Sequence, residues 1–158
     1  AASLTALSRK GDAERVLRSG VTAAPGYTNP ATALAKLLVD QGRRKDADVV
    51  LDAFVGRLLK APSIDTYSLA AVADFYKQRR EHAKALAHYL KAYKKDQVTN
   101  QFLYISLAQL HEEMGNDAEA IRINEQLLAY FTKMGSAFDM YTKSTGDELA
   151  RLRAKKRP

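Results

Sequence analysis

A pattern that returns after 35 to 38 residues limits this chain more than any other feature. Three stretches pass from a polar turn to an alanine and on into apolar residues at helical spacing: Gly42 to Leu51, Arg80 to Ala92 and Gly115 to Asn124. Their alanines, Ala47, Ala85 and Ala120, stand 38 and 35 residues apart. A recurrence of that length marks one supersecondary unit repeated along the chain. Such a unit cannot bury its apolar face alone, and stacking on its neighbours completes the core.

Between the turns, apolar residues recur at steps of three and four. Leu34, Leu37 and Leu38 share a face, as do Leu69, Val72, Ala73 and Tyr76, and Leu103, Leu107, Leu110 and Met114. The intervening stretches carry Val49, Val50, Ala53, Phe54 and Leu58, then Leu86, Tyr89, Leu90 and Tyr93, then Ile121, Leu127, Leu128 and Phe131. The spacing predicts amphipathic helices of about 12 to 17 residues, and nowhere is the alternation of a strand sustained. Connections of a few residues force successive helices antiparallel. Candidate caps stand at the expected starts: Ser63 or Asp65, Thr99 or Asn100, and Asn116 or Asp117. Pro25, Pro30 and Pro62 fall near helix starts. Pro62 is expected to end the helix before it, since it lacks a backbone donor and its ring clashes with the preceding turn.

The combination resembles the tetratricopeptide repeat (TPR) family. That family places a large residue, Leu, a small residue and an aromatic on a first helix. A small residue, an aromatic and another small residue follow on the second. Leu69, Val72, Ala73 and Tyr76, followed by Ala85, Tyr89 and Ala92, make the best copy. Tyr104, Leu107, Ala108, His111 and Ala120 make another, which departs from the pattern at Asn124 and Leu127. Leu34, Ala35, Leu38 and Ala47 make an earlier one, and Pro25-Gly26-Tyr27 resembles the segment that closes a repeat. Small residues at Ala73, Ala85 and Ala108 let two helices cross closely.

The resemblance spans roughly residues 3 to 134. It implies an all-α fold: a right-handed superhelical stack of antiparallel helix pairs, an α-solenoid, with a C-terminal capping helix. The expected division is a partial repeat at 1–26, repeats at 27–62, 63–97 and 98–134, and a capping segment with a basic tail at 135–158. Gly11-Asp12-Ala13-Glu14 reads as the turn of the partial repeat, whose first helix would begin before Ala1. In the capping segment, Phe138, Tyr141, Leu149 and Leu152 are expected to cover the last repeat. An interruption is expected at Gly146, with a restart signalled by Thr145, Asp147 and Glu148.

The net charge of +7 raises nucleic acid as a partner. Five of those charges, however, come from Arg151, Arg153, Lys155, Lys156 and Arg157 in the last eight residues, where no acid occurs. The rest of the chain is close to neutral. The tail has three readings: a solvated helix end favoured by the macrodipole, attachment to anionic lipid or nucleic acid, and docking to an acidic partner. The first is favoured. There is no Cys, hence no disulfide and no thiolate zinc site. No apolar run approaches the roughly 18 residues of a membrane-spanning helix.

No constellation for catalysis stands out. His82, His88 and His111 form no pair four residues apart, and His111-Glu112-Glu113-Met114 lacks the second His of a zinc-protease helix. Neither a Gly-rich phosphate loop nor a nucleophile motif is present. The chain reads as non-catalytic, with no cofactor and no metal ligands. Tyr76 and Tyr89 fall at packing positions, so core is favoured over base stacking. His111 stands where the repeat pattern has an aromatic, and packing is favoured there too.

In the TPR family, the first helices of successive repeats line a concave groove that holds an extended peptide or a short helix. Carried onto this chain, the resemblance implies three sets of groove residues. They are Thr32, Lys36, Val39 and Asp40; then Tyr67, Ala70, Asp74, Lys77 and Gln78; then Phe102, Ile105, Gln109, Glu112 and Glu113. The Lys/Asn/Arg clamp with which one subclass holds C-terminal carboxylates is absent. The implied function is a protein–protein interaction scaffold or adaptor within a larger assembly, binding a partly apolar peptide or helix. The alternative is nucleic-acid or anionic-surface binding through the tail. Tyr67 and Phe102 stay open between contacting a ligand and packing on a neighbouring repeat. A homo-oligomer through exposed repeat ends is a further option, nucleic acid is disfavoured, and a membrane would be met only peripherally. The compartment is not fixed: cytoplasm is favoured, with the periplasm an option if Ala1 is a processed end.

Overall fold

A computed structural model describes residues 2–24, 26–61, 65–96 and 100–155, with side chains from residue 9 onward. Among the described residues there are eight α-helices and no strand. They are α1 (Ala2–Ala23), α2 (Thr28–Asp40), α3 (Arg44–Leu58), α4 (Thr66–Lys77), α5 (His82–Tyr93), α6 (Gln101–Glu113), α7 (Asp117–Met134) and α8 (Asp139–Lys155). A single 3-10 turn, Ser136–Phe138, joins the last two. The fold is all-α. Helices pack as adjacent pairs, α2 with α3, α4 with α5 and α6 with α7. Each pair rests on the next: α4 meets α2 and α3, and α6 meets α4 and α5. Helix α1 packs on α2, and α8 on α7.

The pairs share one register. In their first helices the buried faces are Ala31, Leu34, Ala35, Leu38, then Leu69, Val72, Ala73, Tyr76, then Tyr104, Leu107, Ala108, His111. Each set steps by three, one and three residues, the stripe that 3.6 residues per turn produces. In the second helices Ala47, Ala85 and Ala120 are sealed at the crossing, and Leu51, Tyr89 and Asn124 follow four residues later. Asn124 breaks the apolar pattern, yet its Nδ2 donates to the Ala120 carbonyl at 2.9 Å, so its amide is not left unpaired.

The turns inside the pairs are also alike. Gly42, Arg80 and Gly115 all have positive φ, +78°, +58° and +76°. In each case the next residue's N–H donates to a carbonyl five positions back: Arg43 to Leu38 at 2.8 Å, Glu81 to Tyr76 at 3.1 Å and Asn116 to His111 at 2.7 Å. This is the Schellman closure, which satisfies carbonyls that the helix end leaves orphaned. Glycine suits that left-handed position, and Arg80 occupies it against its sterics.

Asp65 caps α4, accepting from the Tyr67 and Ser68 amides, and Asn100 caps α6, accepting from the Leu103 amide. Asn116 stands at the cap of α7 but makes no side-chain cap bond. The alternatives Ser63 and Thr99, like Pro25, Pro62, Lys156 and Arg157, lie outside the described residues. Helix α3 stops at Leu58, before Pro62 is reached.

Two sequence expectations are corrected. Gly11 is no turn, because α1 runs unbroken from Ala2 to Ala23. Likewise α8 runs through Thr145 and Gly146 without a break or restart. A lone glycine in a helix costs only about 1 kcal/mol against Ala. Flanking contacts outweigh that cost. Leu17 and Val21 hold α1 to the core, and Thr145, Leu149 and Leu152 are buried under α8.

The ends of the stack are closed differently. Glu14 of α1 takes ion pairs from Arg18 at 2.7 Å and from Arg43 of the α2–α3 turn at 2.8 Å. At the other end Phe131 of α7 stacks on Phe138 and Tyr141, with ring centroids 5.9 and 5.4 Å away. Phe138 and Tyr141 thus lie against α7, and Leu149 and Leu152 are buried on α8, which packs on α7.

Candidate functional site

Antiparallel pairing makes α2, α4 and α6 run the same way, side by side. Their buried faces point to α3, α5 and α7, which leaves one face of the three helices for other contacts. Three open clefts follow that face. The first, between α2 and α4, brings together Asn29, Thr32, Lys36, Asp74, Gln78 and Arg79. The second, at the C-terminal ends of α4 and α6, is lined by Asp74, Lys77, Gln78, Arg80, His82 and Glu113. The third lies between α6, α7 and α8, with Ile105, Gln109, Glu112, Glu148 and Arg151. A further hollow runs along α1 beside Gly11, Glu14, Arg15 and Arg18, but a single helix lines it.

Most groove residues expected from the sequence meet in these clefts: Thr32, Lys36, Asp74, Lys77, Gln78, Ile105, Gln109, Glu112 and Glu113. Two stand apart. Val39 is half-buried against the core, and Asp40 lines a recess by α1 with Lys10, Glu14 and Arg43. Ala70 is buried. Tyr67 and Phe102 line none of the three clefts. They stand 53% and 72% exposed in the first turns of α4 and α6, and Tyr27, 72% exposed, precedes α2 at the same end. The sequence reading missed Tyr27, Arg79 and Arg80. Arg79 and Arg80 fall in a turn, where helical periodicity carries no information.

The charges along this face are not alike. Lys77 donates to Gln109 Oε1 at 3.1 Å and lies 3.7 Å from Glu113. Asp74 accepts a hydrogen bond from the buried Tyr89 hydroxyl, and burial followed by that bond pushes the Tyr89 phenol pKa up. Glu112 pairs with Arg151 at 2.6 Å and Lys155 at 3.5 Å, and the Arg151 hydrogen bond holds its carboxyl below the usual range. Lys155 also reaches Asp117 at 3.3 Å, and Arg153 reaches Glu125 at 2.7 Å. The described part of the basic tail is therefore the last two turns of α8, laid against acids of α6 and α7. Lys36 and Arg79 contrast with this: neither has a carboxylate in ion-pair distance among the described residues. Arg79 instead lies over the Phe75 ring, 3.6 Å from its centroid, and donates to the Phe75 carbonyl at 2.9 Å.

The histidines are built into packing. His88 is buried and stacks on Tyr76 at 5.2 Å with an interplanar angle of 6°. Burial, reinforced by Lys91, brings its pKa down to about 4. His111 is buried at a first-helix packing position, and burial lowers its pKa as well. Among the described residues no group of three or more His, Asp or Glu side chains is placed to hold a metal ion. Nor is any helix there long and apolar enough to cross a membrane. Two further tyrosines are tied down at their hydroxyls: Tyr76 donates to Asp48 at 2.8 Å and Tyr93 to Gln126 at 2.6 Å. No family model matches this chain, and no curated protein matches it significantly.

Proposed function

We propose that this chain is a non-catalytic protein–protein interaction scaffold of the TPR type, holding a peptide or helix of a partner across α2, α4 and α6. The observation that carries the reading is the shared register of the three pairs. It presents three parallel helices with clefts between them on one side, and leaves the opposite side of each for packing. In this reading the stack is a right-handed superhelix, the shared face is its concave side, and α8 is the cap. A face preset by packing lowers the ordering cost of a complex, because only the ligand loses freedom.

Shallow open clefts suit a chain laid along the surface better than a small substrate, which needs an enclosed pocket. The alternative, nucleic-acid or anionic-surface binding through the tail, loses ground: Arg151, Arg153 and Lys155 already face protein carboxylates. The test is an array of random 12-residue peptides probed with the wild-type chain and with the Lys36→Ala/Lys77→Ala/Gln109→Ala variant, one substitution in each cleft. Retention by the wild type and its loss in the variant are expected. Equal retention by both would put the ligand elsewhere.

A further inference from the structure

The α2–α4 cleft differs from the two beyond it in how its cations are used. Farther along, Lys77 is engaged by Gln109 and Glu113, and Arg151 by Glu112 and Glu148. In the α2–α4 cleft Lys36 stands on α2 and Arg79 in the turn after α4, and neither is neutralised by a carboxylate among the described residues. Arg80, exposed in the next cleft, adds a third such cation, and it does so from a left-handed backbone position that glycine fills in the other two turns. An arginine held at a costly φ is a reason to look for a role. The one acid of the first cleft, Asp74, is taken up by the Tyr89 hydroxyl. The Asn29 and Gln78 amides line the same cleft and offer donors and acceptors.

We infer that the α2–α4 cleft binds an acidic segment of a partner protein, its carboxylates meeting Lys36 and Arg79, and Arg80 where the next cleft adjoins at Asp74 and Gln78, and its backbone meeting Asn29 and Gln78. This rests on the reading of the shared face as the binding surface and adds the charge and place of the ligand. Arg79 is already held over the Phe75 ring and by the Phe75 carbonyl, which fixes its guanidinium at the cleft. A protein segment fits better than a nucleic acid. Phe75 is buried beneath Arg79 and offers no free ring for a base to stack on.

The same peptide array tests this, with its members graded from four net negative to four net positive charges. Wild-type protein should retain the acidic members. Lys36→Glu/Arg79→Glu should weaken them about tenfold, the scale of two lost partly exposed ion pairs plus the repulsion introduced. Lys36→Arg/Arg79→Lys keeps both charges and should keep most of the binding, which separates loss of charge from loss of fold. Reversing Arg153 and Lys155 on α8 should leave retention unchanged. Retention of neutral or basic peptides, or of acidic ones equally by the reversed variant, overturns the inference while leaving the scaffold reading intact. No retention of any peptide overturns both. A single-stranded 12-nucleotide DNA that binds more tightly than the acidic peptides, and is lost in the reversed variant, assigns the cleft to nucleic acid instead.

Discussion

Acidification from pH 7 to pH 4 is expected to cost this protein about 3 kcal/mol through His88 alone. The imidazole is 6% exposed, and its Nδ1 has no hydrogen-bond partner among the described residues. Around it stand Asp52, with Nε2 3.9 Å from Oδ1, together with Asp48, Lys84 and Lys91. Burial, reinforced by Lys91, wins over the two carboxylates and brings the folded-state pKa to about 4, against 6.5 for the free side chain. Above pH 6.5 the group is neutral in both states and has no effect. Between pH 6.5 and 4 the unfolded chain takes a proton that the folded chain refuses, so stability falls as pH falls. A gap of about two and a half units at about 1.4 kcal/mol each, less the half-titration reached at pH 4, gives about 3 kcal/mol. Urea melts of wild type and His88→Phe at pH 7 and pH 4 isolate this contribution, since Phe keeps a flat ring on Tyr76 and cannot titrate. The stability difference between the two proteins should move by about 3 kcal/mol in favour of the variant. Parallel losses in both would refute the buried, neutral imidazole.

The backbone gives a second set of expectations, read by the same melts. Gly11→Ala and Gly146→Ala should each stabilise by about 0.5–1 kcal/mol, because an added Cβ meets nothing within 4 Å at either helical position. Gly20→Ala should gain less, since its Cβ would lie 3.3 Å from the Pro30 Cβ. Arg80→Gly should stabilise by about 1 kcal/mol by relieving the left-handed φ, whereas Gly42→Ala, at φ +78°, should destabilise. At the far end, Phe131→Ala should cost about 3–5 kcal/mol, as for other buried aromatics. Amide exchange should then quicken in α8 far more than in α2 and α3, and uniform quickening would contradict a stack stabilised through neighbours.

Spacing carried the fold. The first-helix stripes ending at Leu38, Tyr76 and His111 and the alanines at 47, 85 and 120 are where a reading at steps of three and four places them. Glycine misled at Gly11 and Gly146, because its local cost is smaller than the burial on either side. At Gly42 and Gly115 the same residue does mark a turn, and no local feature of the sequence separates the two cases. The face was legible in part. Lys36, Asp74 and Gln78 follow from helical phase, but which of the charges are already paired depends on contacts 28 to 39 residues apart, such as Arg153 to Glu125 and Arg151 to Glu112. The basic tail showed this most plainly: Arg151, Arg153 and Lys155 looked free in sequence and are matched in space by acids of α6 and α7.

Hydrogen–deuterium exchange of the chain with and without an acidic peptide retained by the array addresses the central claim most directly. Protection should appear in 28–40, 66–77 and 101–113, the helices of the shared face, and be strongest in the first two. Protection confined to α3, α5 and α7, or to α8, would place the partner elsewhere and contradict the account.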